Sequence, residues 1–268
     1  MDVERGLVKS RYGYIHYRAA GSGGTPVFLF HINQQSSALM LELMAVIGAE
    51  RRVVAIDYPG HGHSDHVTEQ PRIDDYALSA VAVMDHLGYA KACVMGEAVG
   101  AATSIAFSVN HPDRVERMIM VNCPFYPEVD DAEEAHAPLK SGLRPADPSG
   151  FPMTRTLEFV LENDPIHMPL HPTQSWMDRV NTAQIEIGRD RWQALDALHA
   201  FDITGNLGRI ACPAMNLWGE HFQYAKYRGE FASRVRDHRD RVIPTGRFGM
   251  TWEHAETVGR EALRFFAG

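Results

Sequence analysis

Short runs of apolar, β-prone residues alternate along the chain with longer stretches in which apolar positions recur every three or four residues. Pro26 to Phe30, Arg52 to Ile56, Ala92 to Met95, Arg117 to Val121, Ala214 to Trp218 and Arg241 to Ile243 have the length and composition of strands. Arg5 to Arg18, ahead of them, reads as a hairpin turning at Gly13. Helical spacing marks Ser37 to Ile47, Ile73 to Leu87, Val99 to Asn110, Lys226 to Val235 and Trp252 to Phe266. Strands separated by helices predict an α/β architecture: a mostly parallel, doubly wound sheet covered by helices.

This rhythm stops between Pro124 and about Asn206. Nine of the 15 prolines fall from Pro124 to Pro172, beside the acidic run Asp130 to Glu134. Proline removes backbone donors that a sheet needs. Helical spacing returns at Thr154 to Glu162, Gln174 to Gly188 and Arg191 to His199. The expected organisation is a core of residues 1–124 and 208–268 interrupted by a helical cap at 125–207.

Composition then narrows the function classes. The 268 residues carry 34 acidic and 26 basic side chains, a formal charge of −8. Without a basic cluster beyond Arg51-Arg52, this surface is a poor partner for nucleic acid or anionic lipid. No stretch approaches the roughly 20 apolar residues of a membrane span. Residues 1–5 lack the pattern of a signal peptide. Cys93, Cys123 and Cys212, odd in number and far apart, fit a reducing compartment. The expected setting is cytoplasmic, the expected partner a small-molecule substrate, and a homodimer is left open.

Three segments carry chemistry. His31-Ile32-Asn33-Gln34-Gln35-Ser36-Ser37 follows the third strand, Asp57-Tyr58-Pro59-Gly60-His61-Gly62-His63-Ser64-Asp65 the fourth, and Gly96-Glu97-Ala98-Val99-Gly100 the fifth. Together and in this order they resemble the α/β-hydrolase superfamily, with its oxyanion loop, its Asp-x-Pro-Gly-x-Gly-x-Ser segment and its Gly-x-Ser-x-Gly elbow. The dinucleotide-binding alternative lacks Gly-x-Gly-x-x-Gly after any strand. The resemblance implies the α/β-hydrolase fold with a cap insertion and a nucleophile at the centre of the elbow, yet that residue is Ala98. It places the acid of the triad at Phe222 and the histidine at Arg247 or Phe248, so no standard triad is expected. A shifted set of Glu220 and His254, and a serine hydrolase whose nucleophile alone was replaced at Ala98, are the competing readings. A triad works as a unit, which favours its loss as a unit.

The remaining groups still allow oxyanion chemistry. By resemblance, the backbone N–H groups of Asn33 and Val99 form an oxyanion hole, at the positive end of the helix starting near Val99. Arg247 is a candidate clamp for a carboxylate, or a solvated loop arginine. His31 is a candidate for proton transfer, or the residue that orders the oxyanion loop. Glu97, if buried, has its pKa raised into a useful range, or is a hydrogen-bonded structural carboxylate. Gln34 and Gln35 add polarity to the loop, and Ser36 or Ser37 caps the next helix. Cys123 reads as an inert buried thiol near the pocket. Phe151, Met153, His167, Trp176 and Met177 supply an adaptable lid over a substrate that also meets Phe222 and Phe248. His167 and His171 stand at metal-binding spacing, but Pro169 between them breaks the helix such a site needs, so neither metal nor cofactor is expected. The favoured function is an enzyme acting on a small, partly apolar carbonyl or carboxylate compound without a serine nucleophile. The contrasting class is a ligand-binding or sensor protein.

Overall fold

The computed structural model describes residues 1–127, 154–163 and 165–268. The chain opens with the expected hairpin, β1 (Glu4–Ser10) and β2 (Gly13–Ala20), antiparallel from Glu4 opposite Ala19 to Ser10 opposite Gly13. Then follow β3 (Val27–Phe30), α1 (Leu41–Ile47), β4 (Val53–Ile56), α2 (Ile73–His86), β5 (Ala92–Glu97), α3 (Val99–Asn110) and β6 (Val115–Val121). The insertion holds α4 (Leu157–Asn163), α5 (Gln174–Ile187), α6 (Gln193–His199) and α7 (Ile203–Leu207). The chain returns to the core through β7 (Ala214–Gly219), α8 (Arg228–Arg234), β8 (His238–Ile243), α9 (Met250–Glu253) and α10 (Ala255–Ala267). The acidic run Asp130 to Glu134, with Phe151 and Met153, lies outside the described residues.

Eight described strands form one sheet in the order β1-β2-β4-β3-β5-β6-β7-β8, antiparallel only where β2 meets β1 and β4. β3 and β4 are apolar at every position because both of their faces are covered. In β3 and β4, Phe28, Phe30, Val54 and Ile56 pack towards α2 and α3, while Val27, Leu29, Val53 and Ala55 pack towards α1 and α10. Helix α10 buries Ala255, Val258, Gly259, Ala262 and Phe266, a stripe at helical spacing. Residues 194–207 of the insertion share their apolar cluster with α3, so this half of the insertion is continuous with the core.

β8 and the last expected helix depart from their expected limits. β8 begins at His238, ahead of Arg241; it is an edge strand whose burial alternates, so its charged positions project outward and hide the strand from a search for apolar runs. The expected helix Trp252 to Phe266 is two, parted at His254, whose ψ of 27° breaks the helical path.

Parallel strands direct their carboxyl ends to one edge, where the turn from β5 into α3 is the tightest feature. A Cβ on Gly96 would lie 2.4 Å from Gly100 C, and one on Gly100 would lie 2.2 Å from Phe30 O. Gly100→Ala is therefore expected to destabilise the fold by at least about 2 kcal/mol through overpacking. Gly229→Ala, in α8 with no atom within 4 Å of the new methyl, should stabilise it by about 0.5–1 kcal/mol. Urea denaturation of the two variants checks both signs.

Candidate functional site

Ala98 occupies the turn between β5 and α3 with φ 52° and ψ −109°, a strained backbone that an L-residue adopts only when its surroundings impose it. The elbow geometry is thus present without a nucleophilic side chain. The N–H groups of Val99 and Asn33 donate to no other described residue, and Val99 opens the 12-residue helix α3. Both residues line a pocket that Ala98 also lines.

The positions that the resemblance gave to acid and base come together here. Phe222 and Phe248 line the same cavity as Ala98. Of the two candidates for the histidine position, Phe248 lines this cavity and Arg247 does not. Leu195 and Leu198 of α6 and Pro124 complete the apolar wall. The polar side chains on it are Asn33, His167, Gln223 and Tyr224, and none is a carboxylate. His167 sits edge-on against Phe248 at 5.9 Å, and Gln223 Nε2 approaches its Nε2 at 3.5 Å. Burial pushes the Tyr224 phenol up to about 12.

A second chamber shares Ile32, Asn33, His167 and Phe248 with the first. Its further walls are Gln34 and Gln35 of the oxyanion loop, Trp176, Met177 and Gln184 of α5, and Met168 and Arg155. Sequence reasoning had marked Gln34, Trp176 and His167; it missed Gln184, Leu195, Leu198 and Tyr224. Gln184, Leu195 and Leu198 lie on helices whose period signals burial but not the direction of the buried face, and Tyr224 stands in the turn after Phe222.

His31 does not line either chamber. Its Nδ1–H donates to Ile32 O at 2.8 Å and its Nε2 accepts from Tyr58 N at 3.3 Å, which sets one neutral tautomer. Its ring lies 4.0 Å from the Tyr58 ring, and burial pushes its pKa down to about 4. The expectation that His31 carries protons gives way to its alternative, a residue that orders the loop. Cys123 is also absent from both linings; it is fully buried, and burial pushes its thiol up.

Glu97 is corrected likewise. The carboxylate is fully buried and faces the loop after β8. Oε1 accepts from Gly249 N at 2.8 Å, Met250 N at 3.1 Å and Asn122 Nδ2 at 3.1 Å; Oε2 accepts from Thr251 N at 3.0 Å and Thr251 Oγ1 at 2.9 Å. Burial raises its pKa, while these five donors oppose the rise. The backbone N–H groups can only donate, so the site is built for a carboxylate and leaves it no free oxygen for a substrate. Asn122, unnoticed in the sequence, joins the Glu97 carboxylate, Arg247 O and Gly219 N from a backbone φ of 47°, a region that asparagine tolerates.

Arg247 lines neither chamber. Its Nε and one terminal nitrogen donate to Met168 O and Pro169 O, each at 2.8 Å, which ties the loop to the insertion. The carboxylate clamp expected of it is thereby replaced by a structural bridge. Glu253 makes a second tie, accepting from Leu170 N and His171 N. The shifted pair is not assembled at the cavity: Glu220 is exposed and accepts from Thr245 N, while His254 Nε2 meets Thr245 O at 3.3 Å. Ser36 caps the turn before α1 through Ala38 N. Among the described residues no three side chains are grouped to hold a metal, and no helix is long and apolar enough to cross a membrane.

Two experiments test this assignment. Glu97→Gln places an amide NH2 against N–H donors and is expected to cost about 3 kcal/mol in urea denaturation; an unchanged midpoint contradicts the clamp. His31 and the fully buried His61, which burial pushes down to about 3, both favour the neutral ring in the folded state. Their contribution is complete above pH 6.5, the unperturbed value, and is lost as pH falls from there towards 4 and below. Unfolding free energy should therefore drop by roughly 2 kcal/mol for each ring between pH 7 and pH 5. A flat profile across that window would contradict it.

The α/β hydrolase fold model matches residues 25–255. A 2-hydroxy-6-oxo-6-phenylhexa-2,4-dienoate hydrolase of Comamonas testosteroni is 24% identical over 94% of this chain and 90% of its own length. A 2-hydroxy-6-oxononadienedioate/2-hydroxy-6-oxononatrienedioate hydrolase of a Pseudomonas species is 31% identical over 45% of this chain and 43% of that protein. The chain covers less than half the length of the first curated relatives it matches. Among solved structures, the enol-lactonase of Burkholderia xenovorans LB400 superposes with a TM-score of 0.76 at 19% identity, covering 98% of this chain and all of that one. The extent of the family match, with the sheet order and the strained elbow, makes this chain a member of the α/β hydrolase fold family.

Proposed function

We propose that this protein is an enzyme that acts on a small, partly apolar carbonyl or carboxylate compound through an oxyanion pocket, without forming an acyl-enzyme. The observation that carries this reading is the convergence of Ala98, Phe222 and Phe248 on a cavity whose oxyanion donors, Val99 N–H and Asn33 N–H, are intact. Such donors stabilise a developing oxyanion whichever group creates it, and one of them is typically worth about 3–4 kcal/mol in the transition state. Hydrolysis by activated water, or a lyase, decarboxylase, isomerase or cyclase step through an enolate, fits this machinery. With His31 and Glu97 committed to structure, His167 is the titratable ring placed to move a proton. Relatives named for hydrolysis of oxo-dienoates and of an enol-lactone support small carbonyl compounds as the substrate class.

A ligand-binding or sensor role is the second reading, favoured by the apolar character of all three triad positions. Calorimetric binding without turnover of any bound compound would select it. The replaced-serine reading fares worse, because Phe222 and Phe248 cannot relay a proton to a hydroxyl at residue 98.

Ala98→Ser is therefore expected to leave nitrophenyl ester hydrolysis at the background rate and to remain unlabelled by a fluorophosphonate. A burst of product equal to the enzyme concentration, or a stoichiometric mass shift, would overturn the proposal.

A further inference from the structure

Two histidines of the segment after β4 face two carboxylates at and just beyond the carboxyl end of α5. His63 Nε2 lies 3.9 Å from Glu186 Oε1, and His66 Nδ1 lies 3.7 Å from Asp190 Oδ2. An imidazole at such distances attracts a carboxylate strongly only when it carries a proton, and histidine is the side chain that gains one between about pH 8 and pH 5. Other charged groups meet this cluster from the core. His16 Nδ1 pairs with the buried Asp57 at 2.8 Å, the His16 ring stands edge-on to His63 at 5.1 Å, and Arg18 is buried on the same strand. Burial raises the Glu186 pKa and Asp57 adds to the rise, while His63, Arg18 and His16 oppose it. His66 shares a surface pocket with Arg11, Asp65, Glu69 and Asp75, and the buried His61 feels its charge. The end of α5 is also its negative pole, a poor place for two acids without cations opposite.

This end of α5 walls the second chamber. Val180 and Gln184 line it, and Gln184 Nε2 donates to Gln34 Oε1 at 3.1 Å. Helix α5 packs in an apolar cluster of its own, with Val160, Met168 and Leu39, whereas α6 shares the core cluster. The two helices part at Gly188, whose φ of 64° and ψ of −123° glycine takes without strain. The approach to α5 and its middle are held by contacts that mild acid leaves alone: Arg247 and Glu253 at residues 168–171, and Arg179 on both oxygens of Glu42. We propose that the carboxyl end of α5 is a proton-set latch: charged His63 and His66 hold Glu186 and Asp190 down on the core and keep the second chamber closed, and loss of those protons releases this end about Gly188. Raising the pH removes the imidazole charge and leaves Glu186 ionised near Asp57, so both changes favour opening. This inference rests on the reading of the joined chambers as a small-molecule site and adds the control of entry to it.

Hydrogen exchange of the wild-type protein without ligand, read by mass spectrometry at about pH 6 and about pH 8 and corrected for the intrinsic rate, tests the latch. The peptide spanning the end of α5 is expected to be about fivefold better protected at the lower pH, the effect of two partly exposed ion pairs, while peptides of α6 gain nothing. The sign is distinctive, because His31 and His61 weaken the fold as a whole once the pH falls below 6.5. His63→Gln combined with His66→Gln should remove the difference. Glu186→Gln combined with Asp190→Asn, which leaves both imidazoles in place, should remove it as well. Equal protection at the two pH values, a gain shared by α6, or a gain that survives either pair of substitutions overturns the latch and leaves the small-molecule site standing. The site reading fails separately, if titration calorimetry finds no binding of phenylpropanoate or of the methyl ketone of equal length at either pH, and the control of entry falls with it.

Discussion

The buried carboxylate of Glu97 fixes the loop on which the rest of the site depends. It sits one residue before the strained elbow and gathers three consecutive backbone N–H groups, Gly249 to Thr251, together with two side-chain donors. A buried charge is tolerable only with such complete pairing. The carboxylate holds residues 249–251, next to Phe248, which lines the cavity with Ala98, and Arg247, which binds two carbonyls of the insertion. One interaction thus holds the loop that joins a wall of the cavity to the insertion.

Steric contact explains how a strained elbow persists beside apolar neighbours. The backbone at Ala98 costs of order 1–3 kcal/mol and survives because Gly96, Gly100 and the end of β3 leave no other path. What the strain still delivers is the Val99 N–H at the start of α3, aimed at a cavity with an aromatic side chain on either side. The pocket meets the start of α3, the positive end of its dipole, and carries no carboxylate, inside a chain of formal charge −8.

The sheet, its order of helices and the elbow were legible in the sequence because they rest on local periodicity and on glycines that steric contact demands. Spacing along a familiar order of motifs also pointed to Ala98, Phe222 and either Arg247 or Phe248, of which Ala98, Phe222 and Phe248 line one cavity. The roles of Glu97, His31 and Arg247 were not legible. Each is decided by partners distant in sequence or by the direction of a single side chain: Glu97 by amides some 150 residues away, Arg247 by carbonyls of the insertion. Asn122 carried one faint sign, an asparagine closing an apolar strand just before Cys123-Pro124, where a left-handed backbone suits it.

The central claim is that oxyanion donors, rather than a nucleophile, define the reactive spot. A crystal structure of the protein with a carbonyl compound bound tests this most directly. The account requires the ligand's oxygen within hydrogen-bonding distance of Val99 N and Asn33 N, with the Ala98 methyl in van der Waals contact and Phe222 and Phe248 flanking the ligand. A ligand seated elsewhere, or one whose carbonyl ignores both N–H groups, would contradict it.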